Sequence, residues 1–258
     1  MPFAEIKIPD TLGLLFLAWI LLGLPWAAIR SARRVREADS GKSDEPLPPR
    51  TSIWLSSIIL LSVLFLFAYF VGGEFGYEIF AVPALGWREV LAAIGALLAL
   101  FAIRKGLRAS RSEPERRKLA VYKLAPRGAK EWSVWIAMVF VASISEEAAY
   151  RGVAMSLLWW SLGNPWIAAA ICALAFAAAH WMQGWKSGVA IFAIALAMHG
   201  LVAFTQTLVL AMIVHAIYDI AAGYWIHRQL QADELADARA ADSAQRDSAQ
   251  RDSSSAKA

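Results

Sequence analysis

Apolar residues along this chain are collected into seven long runs separated by shorter polar segments. The runs cover residues 12–29, 53–71, 85–103, 132–160, 165–181, 188–204 and 208–226. Most of them approach the ~20 residues that an α-helix needs to cross the hydrocarbon core of a bilayer. A soluble core has no reason to divide its apolar residues in this way. The pattern therefore predicts an all-α fold, a polytopic transmembrane helical bundle with about seven spans.

Composition agrees with a membrane domain. Hydrophobic residues make up 59% of the 258 positions, whereas soluble domains are nearer to half. The single cysteine, Cys172, excludes an intrachain disulfide and a cysteine-based metal site. We therefore expect one membrane-embedded body with polar ends.

The basic residues between the runs predict the orientation of the protein. Lys and Arg are concentrated in the connections 30–50 and 104–130, whereas the connection 72–87 contains Glu74 and Glu78 and no basic residue. Because basic loops stay on the cytoplasmic side, both basic connections and the C-terminus are predicted to be cytoplasmic, and the N-terminus outside. The expected location is a multi-pass position in a bacterial cell membrane, in contact with lipid. These loops are topology signals, and we expect no nucleic-acid partner.

Three regions follow from this pattern. Residues 1–128 contain three spans with basic cytoplasmic loops, and residues 129–228 contain four more spans. Residues 229–258 are polar and repeat Asp-Ser-Ala-Gln-Arg at 242–246 and 247–251. A segment of this composition cannot bury a core, so a largely disordered C-terminal tail is predicted.

A few ionisable side chains interrupt the apolar runs of the second region. Charge at bilayer depth is costly and usually faces a protein interior or a water-filled cavity. Two of these residues, Glu147 and Arg151, are four positions apart and can pair on one helix face. Glu146 is rotated by about 100° from that face and is left without this counter-charge. In chain order the residues are Glu146, Glu147, Arg151, His180, His215 and Asp219.

Helix length places these residues at one depth. The segment 161–165 predicts a hinge centred on Gly163, and Glu146 and His180 each lie 17 residues from that glycine. In an antiparallel pair of helices both side chains then lie roughly 25 Å from the hinge. Asp219 lies 13 residues beyond Gln206, or about 20 Å from the outer end of its own span. All three spans are predicted to meet in the cytoplasmic half of the membrane.

These residue types suit hydrolysis. Glu146 is a candidate general base toward water, and His180 could hold the same water or assist proton transfer. His215, with its tautomer set by Asp219, could donate to a developing oxyanion. The single histidines His199 and His227 stand outside this pattern and are read as packed residues.

Together the motifs resemble the CPBP family of intramembrane proteases, which includes type II CAAX prenyl endopeptidases and bacteriocin-processing or self-immunity proteins. The family pattern is Glu-Glu-x-x-x-Arg, then Phe-x-x-x-His, then His-x-x-x-Asn/Asp. It matches Glu146, Glu147 and Arg151, then Phe176 and His180, then His215 and Asp219. The resemblance covers about residues 130–226. It implies that the first glutamate and His180 activate water, and that His215 and residue 219 stabilise the oxyanion.

One position departs from the common pattern, because CAAX-processing members often carry Asn where this chain has Asp219. An ionised Asp cannot donate a hydrogen bond to an oxyanion, so Asp219 could instead orient His215, remain protonated or bind a metal. Family members are often described as metalloproteases. Two histidines and two or more carboxylates could hold Zn²⁺, but no spacing in this sequence requires a metal ion.

Three functions are consistent with the sequence. The first is an intramembrane endopeptidase, glutamate- or metal-dependent, acting on a membrane-associated protein or peptide, for example a CAAX-type or lipidated one. The second is a non-catalytic protein that binds a membrane partner or gives self-immunity to a bacteriocin. The third is a proton-coupled transporter in which the same residues relay protons. For Glu147 and Arg151 alone, a purely structural ion pair is an equally good reading.

Overall fold

The computed structural model describes residues 8–39 and 48–255, and the following statements refer to these residues. They form helices and connecting turns, with no strand among them. Six helices are long and apolar enough to cross a membrane. The remaining predicted span, the fifth at residues 165–181, corresponds to a shorter apolar helix, Pro165–Ala179. An all-α bundle with about seven membrane segments is therefore confirmed.

The described residues form eleven α-helices, two π-helical segments and one 3₁₀ turn. In chain order they are α1 Thr11–Ala18, a π-helical segment Trp19–Gly23, α2 Leu24–Asp39, α3 Arg50–Glu74, α4 Trp87–Ala109, α5 Glu113–Arg117, α6 Ala120–Lys123, α7 Ala129–Glu146, a second π-helical segment Glu147–Ala154, α8 Met155–Leu162, α9 Pro165–Ala179, a 3₁₀ turn Trp181–Gln183, α10 Trp185–Thr205 and α11 Leu208–Ser255.

The first span is continuous through its π-helical segment. Pro25 lacks a backbone N–H and its ring crowds the carbonyl of residue 21, one turn earlier. The N–H of Leu24 bonds to the carbonyl of Trp19, five residues back. The wider turn accommodates the proline without ending the helix.

The hinge between α8 and α9 has the chemistry that its sequence predicts. Gly163 adopts the left-handed conformation at φ 66°, which favours glycine. The side chain of Asn164 accepts hydrogen bonds from the N–H groups of Trp166 and Ile167, at 2.9 and 3.2 Å. Pro165 occupies the first helical position, where the missing N–H costs nothing.

Helix α9 is too short to cross the membrane by itself. Its 15 residues extend about 22 Å, whereas the hydrocarbon core is about 30 Å thick. It is followed by the 3₁₀ turn and by Gly184, which has φ 84°. Irregular backbone at membrane depth is tolerated where it is buried in protein or lines a cavity. His180 lies at this end of α9.

One apolar core joins the first and second regions. Phe16 and Ile20 from the first span and Ala68 from α3 are fully buried in the same cluster as Ala148 and Val153 from the second π-helical segment. A second cluster packs α4 against α10 and α11. The N-terminal spans therefore pack against the helices that carry the candidate residues between 146 and 219.

The connection between α4 and α7 folds against α11. Tyr122 hydrogen-bonds to Asp233, and Arg117 pairs with Asp237 at 2.5 Å. Glu115 pairs with Lys186 at 3.1 Å, at the start of α10. A backbone hydrogen bond from Ser112 and the bond from Lys186 hold the pKa of Glu115 below its usual range. The connection is thus tied to two helices of the second region.

The polar tail continues α11 as a helix through Ser255 instead of leaving it. Side chains from 235 to 243 are exposed, so the tail adds no core of its own, as its composition predicts. The predicted fold class with a polar C-terminal tail outside the packed bundle is confirmed, and residues 256–258 lie outside the described part. Alanine-rich sequence and pairs such as Asp242 with Arg246, at 2.8 Å, favour helix locally.

Candidate active site

Two neighbouring glutamates occupy different surroundings where α7 meets the second π-helical segment. The side chain of Glu147 is 0% exposed, and its Oε1 lies 3.3 Å from Nη1 of Arg151, which is equally buried. Glu146, the last residue of α7, keeps 15% of its side chain exposed. The pairing of Arg151 with the second glutamate is the one that helical spacing predicts, and it leaves the first glutamate with some access to solvent.

The π-helical conformation at this motif was not predicted from the sequence. All eight residues of the segment are buried, and Ala148 and Ala149 have no exposed surface. A Cβ atom added to Gly152 would meet Leu208 at 3.0 Å and Tyr77 at 3.1 Å. Small residues here let α11 approach closely. Single π turns within helices are frequent at functional sites.

His215 on α11 connects three carboxylates. Its Nδ1 is 2.9 Å from Oε1 of Glu147 and so donates to that carboxylate. Its Nε2 faces Oδ2 of Asp219 at 3.5 Å and Oε2 of Glu146 at 3.8 Å. Glu147 therefore holds the Nδ1 side of the ring, a contact that the sequence did not suggest, while Asp219 faces the Nε2 side. The reason is tertiary, since the two bonded residues are 68 positions apart.

His180 is held by its own helix. Its Nδ1 lies 2.8 Å from the carbonyl oxygen of Phe176, one turn earlier, and donates to it. The two rings are 4.5 Å apart. The guanidinium of Arg151 lies 4.3 Å from the centroid of the Phe176 ring. Tyr150 packs edge-on against the same ring, with the centroids 5.1 Å apart. With Nδ1 engaged, Nε2 is the nitrogen of His180 that can take part in chemistry.

A cavity of about 180 Å³ joins these groups. That volume has room for several water molecules. Glu146 is not among the lining residues, but its Oε2 lies 3.8 Å from Nε2 of His215, which is one of them. The lining residues that matter for chemistry are Arg104, Glu147, Arg151, His180, His215 and Asp219. Residues of all three motifs thus line one cavity.

The donors around this cavity do not fit a metal ion as they stand. Within residues 8–39 and 48–255, no group of three or more His, Cys, Asp and Glu side chains is arranged to hold one. Nδ1 of His180 and Nδ1 of His215 are engaged by protein oxygens, which leaves Nε2 of each ring to face the cavity.

Two residues near the site gave no signal in the sequence. His199 on α10 is buried, and its Nε2 has no hydrogen-bond partner among the described residues. It interacts electrostatically with Arg151 and Glu147. Arg104 on α4 lines the cavity, although the sequence placed it with the loop charges that set topology. A single basic residue in a helix carries no periodic pattern, so only packing identifies such neighbours.

Comparison with known proteins bears on the second region of the chain. No curated protein and no solved structure matches this chain. Residues 128–221 match the family model described as type II CAAX prenyl endopeptidase, Rce1-like, and this stretch contains all three motifs. The match supports a CAAX-type intramembrane protease in general terms. Residues 128–221 of this chain are therefore similar to the Rce1-like, type II CAAX prenyl endopeptidase family, and the predicted resemblance to CPBP proteases is confirmed.

Proposed function

We propose that this protein hydrolyses a peptide bond of a membrane-associated, CAAX-type substrate with water activated by Glu146 and His180. The observation that supports this best is the meeting of Glu146, His215 and Asp219 beside a cavity between membrane-length helices. Transport and non-catalytic binding have no comparable support, because the family match points to a protease.

The proposed reaction needs only side chains that line or adjoin the cavity. Glu146 accepts a proton from water while Nε2 of His180 orients that water, and the water oxygen forms a bond to the scissile carbonyl carbon. The doubly protonated form of His215 donates Nδ1–H to Glu147 and offers Nε2–H to the developing oxyanion. When the C–N bond breaks, Glu146 returns its proton to the leaving nitrogen.

The other two acidic residues have supporting parts in this proposal. Glu147 and Arg151 compensate each other's charge and hold His215 in place. Asp219, with 34% of its side chain exposed, faces Nε2 of His215 and stabilises its charged form. This assigns Asp219 a role that does not require it to donate a hydrogen bond. We also propose the orientation in which the N-terminus is outside and the C-terminus is cytoplasmic.

Replacing the general base tests the reaction. In nanodiscs with a farnesylated, internally quenched CAAX peptide, Glu146→Gln and His180→Ala should each lower kcat/KM by about 10²- to 10⁴-fold. Glu78→Gln changes an exposed carboxylate in the connection after α3 and should leave cleavage unchanged. Terminal-peptide mass spectrometry of cell membranes checks the result without choosing a substrate. Identical fragments from wild-type and Glu146→Gln cells would overturn the proposal.

A further inference from the structure

Arg104 is a cation of the cavity that the reaction above does not use. It lies near the C-terminal end of α4, half-buried, among the residues that line the cavity with His180, His215 and Asp219. Its Nη2 donates to the carbonyl oxygen of Ala222 at 3.3 Å. Its guanidinium lies 5.7 Å from the ring centroid of Trp225. These contacts hold the side chain against α11.

The guanidinium of Arg104 has no carboxylate partner within residues 8–39 and 48–255. By contrast, Arg50 forms an ion pair with Glu131 at 2.8 Å, and Arg151 forms one with Glu147 at 3.3 Å. An arginine presents five N–H donors in a planar fork that suits a carboxylate. The carbonyl of Ala222 and the side chain of Tyr218 engage part of this fork, but neither is a carboxylate.

The distance along α11 matches the length of a short peptide. His215, whose Nε2 is assigned to the oxyanion, precedes Ala222 by seven residues, or about 10 Å along the helix axis. A CAAX sequence stands at the C-terminus of its protein, so cleavage after its cysteine leaves three residues between the scissile carbonyl and the terminal carboxylate. Three extended residues also span about 10 Å.

We propose that Arg104 binds the free C-terminal carboxylate of the substrate and so sets the distance from the chain end to the cleaved bond. The inference rests on the proposed function. The cavity lining also includes Leu100, Ile194 and Met198, apolar side chains that suit the two aliphatic residues of such a substrate. A carboxylate anchor selects for a chain end and disfavours internal peptide bonds.

Paired peptides separate this role from a structural one. Wild-type protein and Arg104→Gln are compared in nanodiscs on two farnesylated fluorogenic CAAX peptides, one with a free C-terminal acid and one amidated. Wild type should cleave the amide with kcat/KM about 10- to 100-fold lower, the scale of a hydrogen bond to a charged group. Arg104→Gln should lower cleavage of the acid by a similar factor and lose little more on the amide.

Two further variants complete the test. Arg108→Gln removes an exposed charge one turn later on α4 and should behave as wild type on both peptides, whereas Arg104→Lys should recover part of the preference for the acid. If Arg104→Gln slows both peptides equally, or if wild type cleaves them equally, the anchor is overturned while the protease remains. If wild type cleaves neither, the proposed function itself has failed.

Discussion

At the scale of single residues, burial separates Glu146 from Glu147. Glu147 is fully enclosed and is compensated by Arg151 and His215, with Oε1 at 3.3 and 2.9 Å from their nitrogens. The nearest ionisable nitrogen to Glu146 is Nε2 of His215 at 3.8 Å, beyond a normal hydrogen bond. A carboxylate that compensates a buried cation is needed for folding, while one without a close partner is available for proton transfer.

The two glutamates should therefore differ in their effect on stability. Glu147→Ala leaves Arg151 buried without its partner and is expected to lower the free energy of unfolding by about 3–5 kcal/mol. Glu146→Ala is expected to cost no more than about 1 kcal/mol while abolishing cleavage. Thermal and denaturant unfolding of the two variants in the same detergent measures the difference. Equal losses of stability would contradict the division of roles.

At the scale of elements, the site depends on the close contact of α7 and α11. A Cβ atom added to Gly223 would lie 2.8 Å from Nε1 and 3.1 Å from Cε2 of Trp135. Both residues also line the cavity. Glycine at this position lets the two helices approach until the indole packs on the backbone of α11, and His215 lies two turns earlier on the same helix.

Gly223→Ala should push α11 away from α7. We expect overpacking to cost about 1–3 kcal/mol and to lower kcat, because His215 would shift relative to Glu147 on the other side of this contact. Gly200→Ala is the matched control, since an added Cβ at Gly200 in α10 meets nothing within 4 Å. Unfolding curves and peptide cleavage of both variants test this. If Gly223→Ala is as stable and active as Gly200→Ala, the close contact of α7 and α11 at Gly223 is not required for stability or cleavage.

At the scale of the whole molecule, the length of the apolar runs and the distribution of charge predict two different properties, namely the membrane spans and their orientation. Apolar length gives the helices that can cross the membrane, and the distribution of Lys and Arg predicts which connections stay in the cytoplasm. The connection from α4 to α7 is also tied to α10 and α11 by Glu115 with Lys186 and Arg117 with Asp237. The predicted cytoplasmic side therefore includes the polar extension of α11.

Thiol labelling can test the predicted orientation. Cys172 is the chain's one cysteine and is buried, so the wild-type protein should react little. In intact cells a membrane-impermeant maleimide should label Glu78→Cys, and it should label Lys118→Cys only after permeabilisation. Both positions are exposed in the structure. The opposite pattern would reverse the orientation and place the connection from α4 to α7 outside.

Much of the architecture follows from the sequence because its causes are local. Runs of apolar residues near the thickness of a bilayer determine where helices form, and the residues 163–165 predict the break between α8 and α9. Helical spacing is sufficient to pair Glu147 with Arg151 and to leave Glu146 apart. The match of residues 128–221 to the protease family likewise rests on residues that the sequence already singles out.

Contacts between helices were decided only by the tertiary structure. Periodicity says which residues share a face, but it does not say which faces meet or how closely. Four features depend on packing between distant segments. They are the hydrogen bond of His215 to Glu147, the π-helical segment 147–154, the end of α9 before His180 and the contact of Arg104 with Ala222. Each results from small or charged residues of different helices coming into contact, and the spacing of residues along the chain does not predict such contacts.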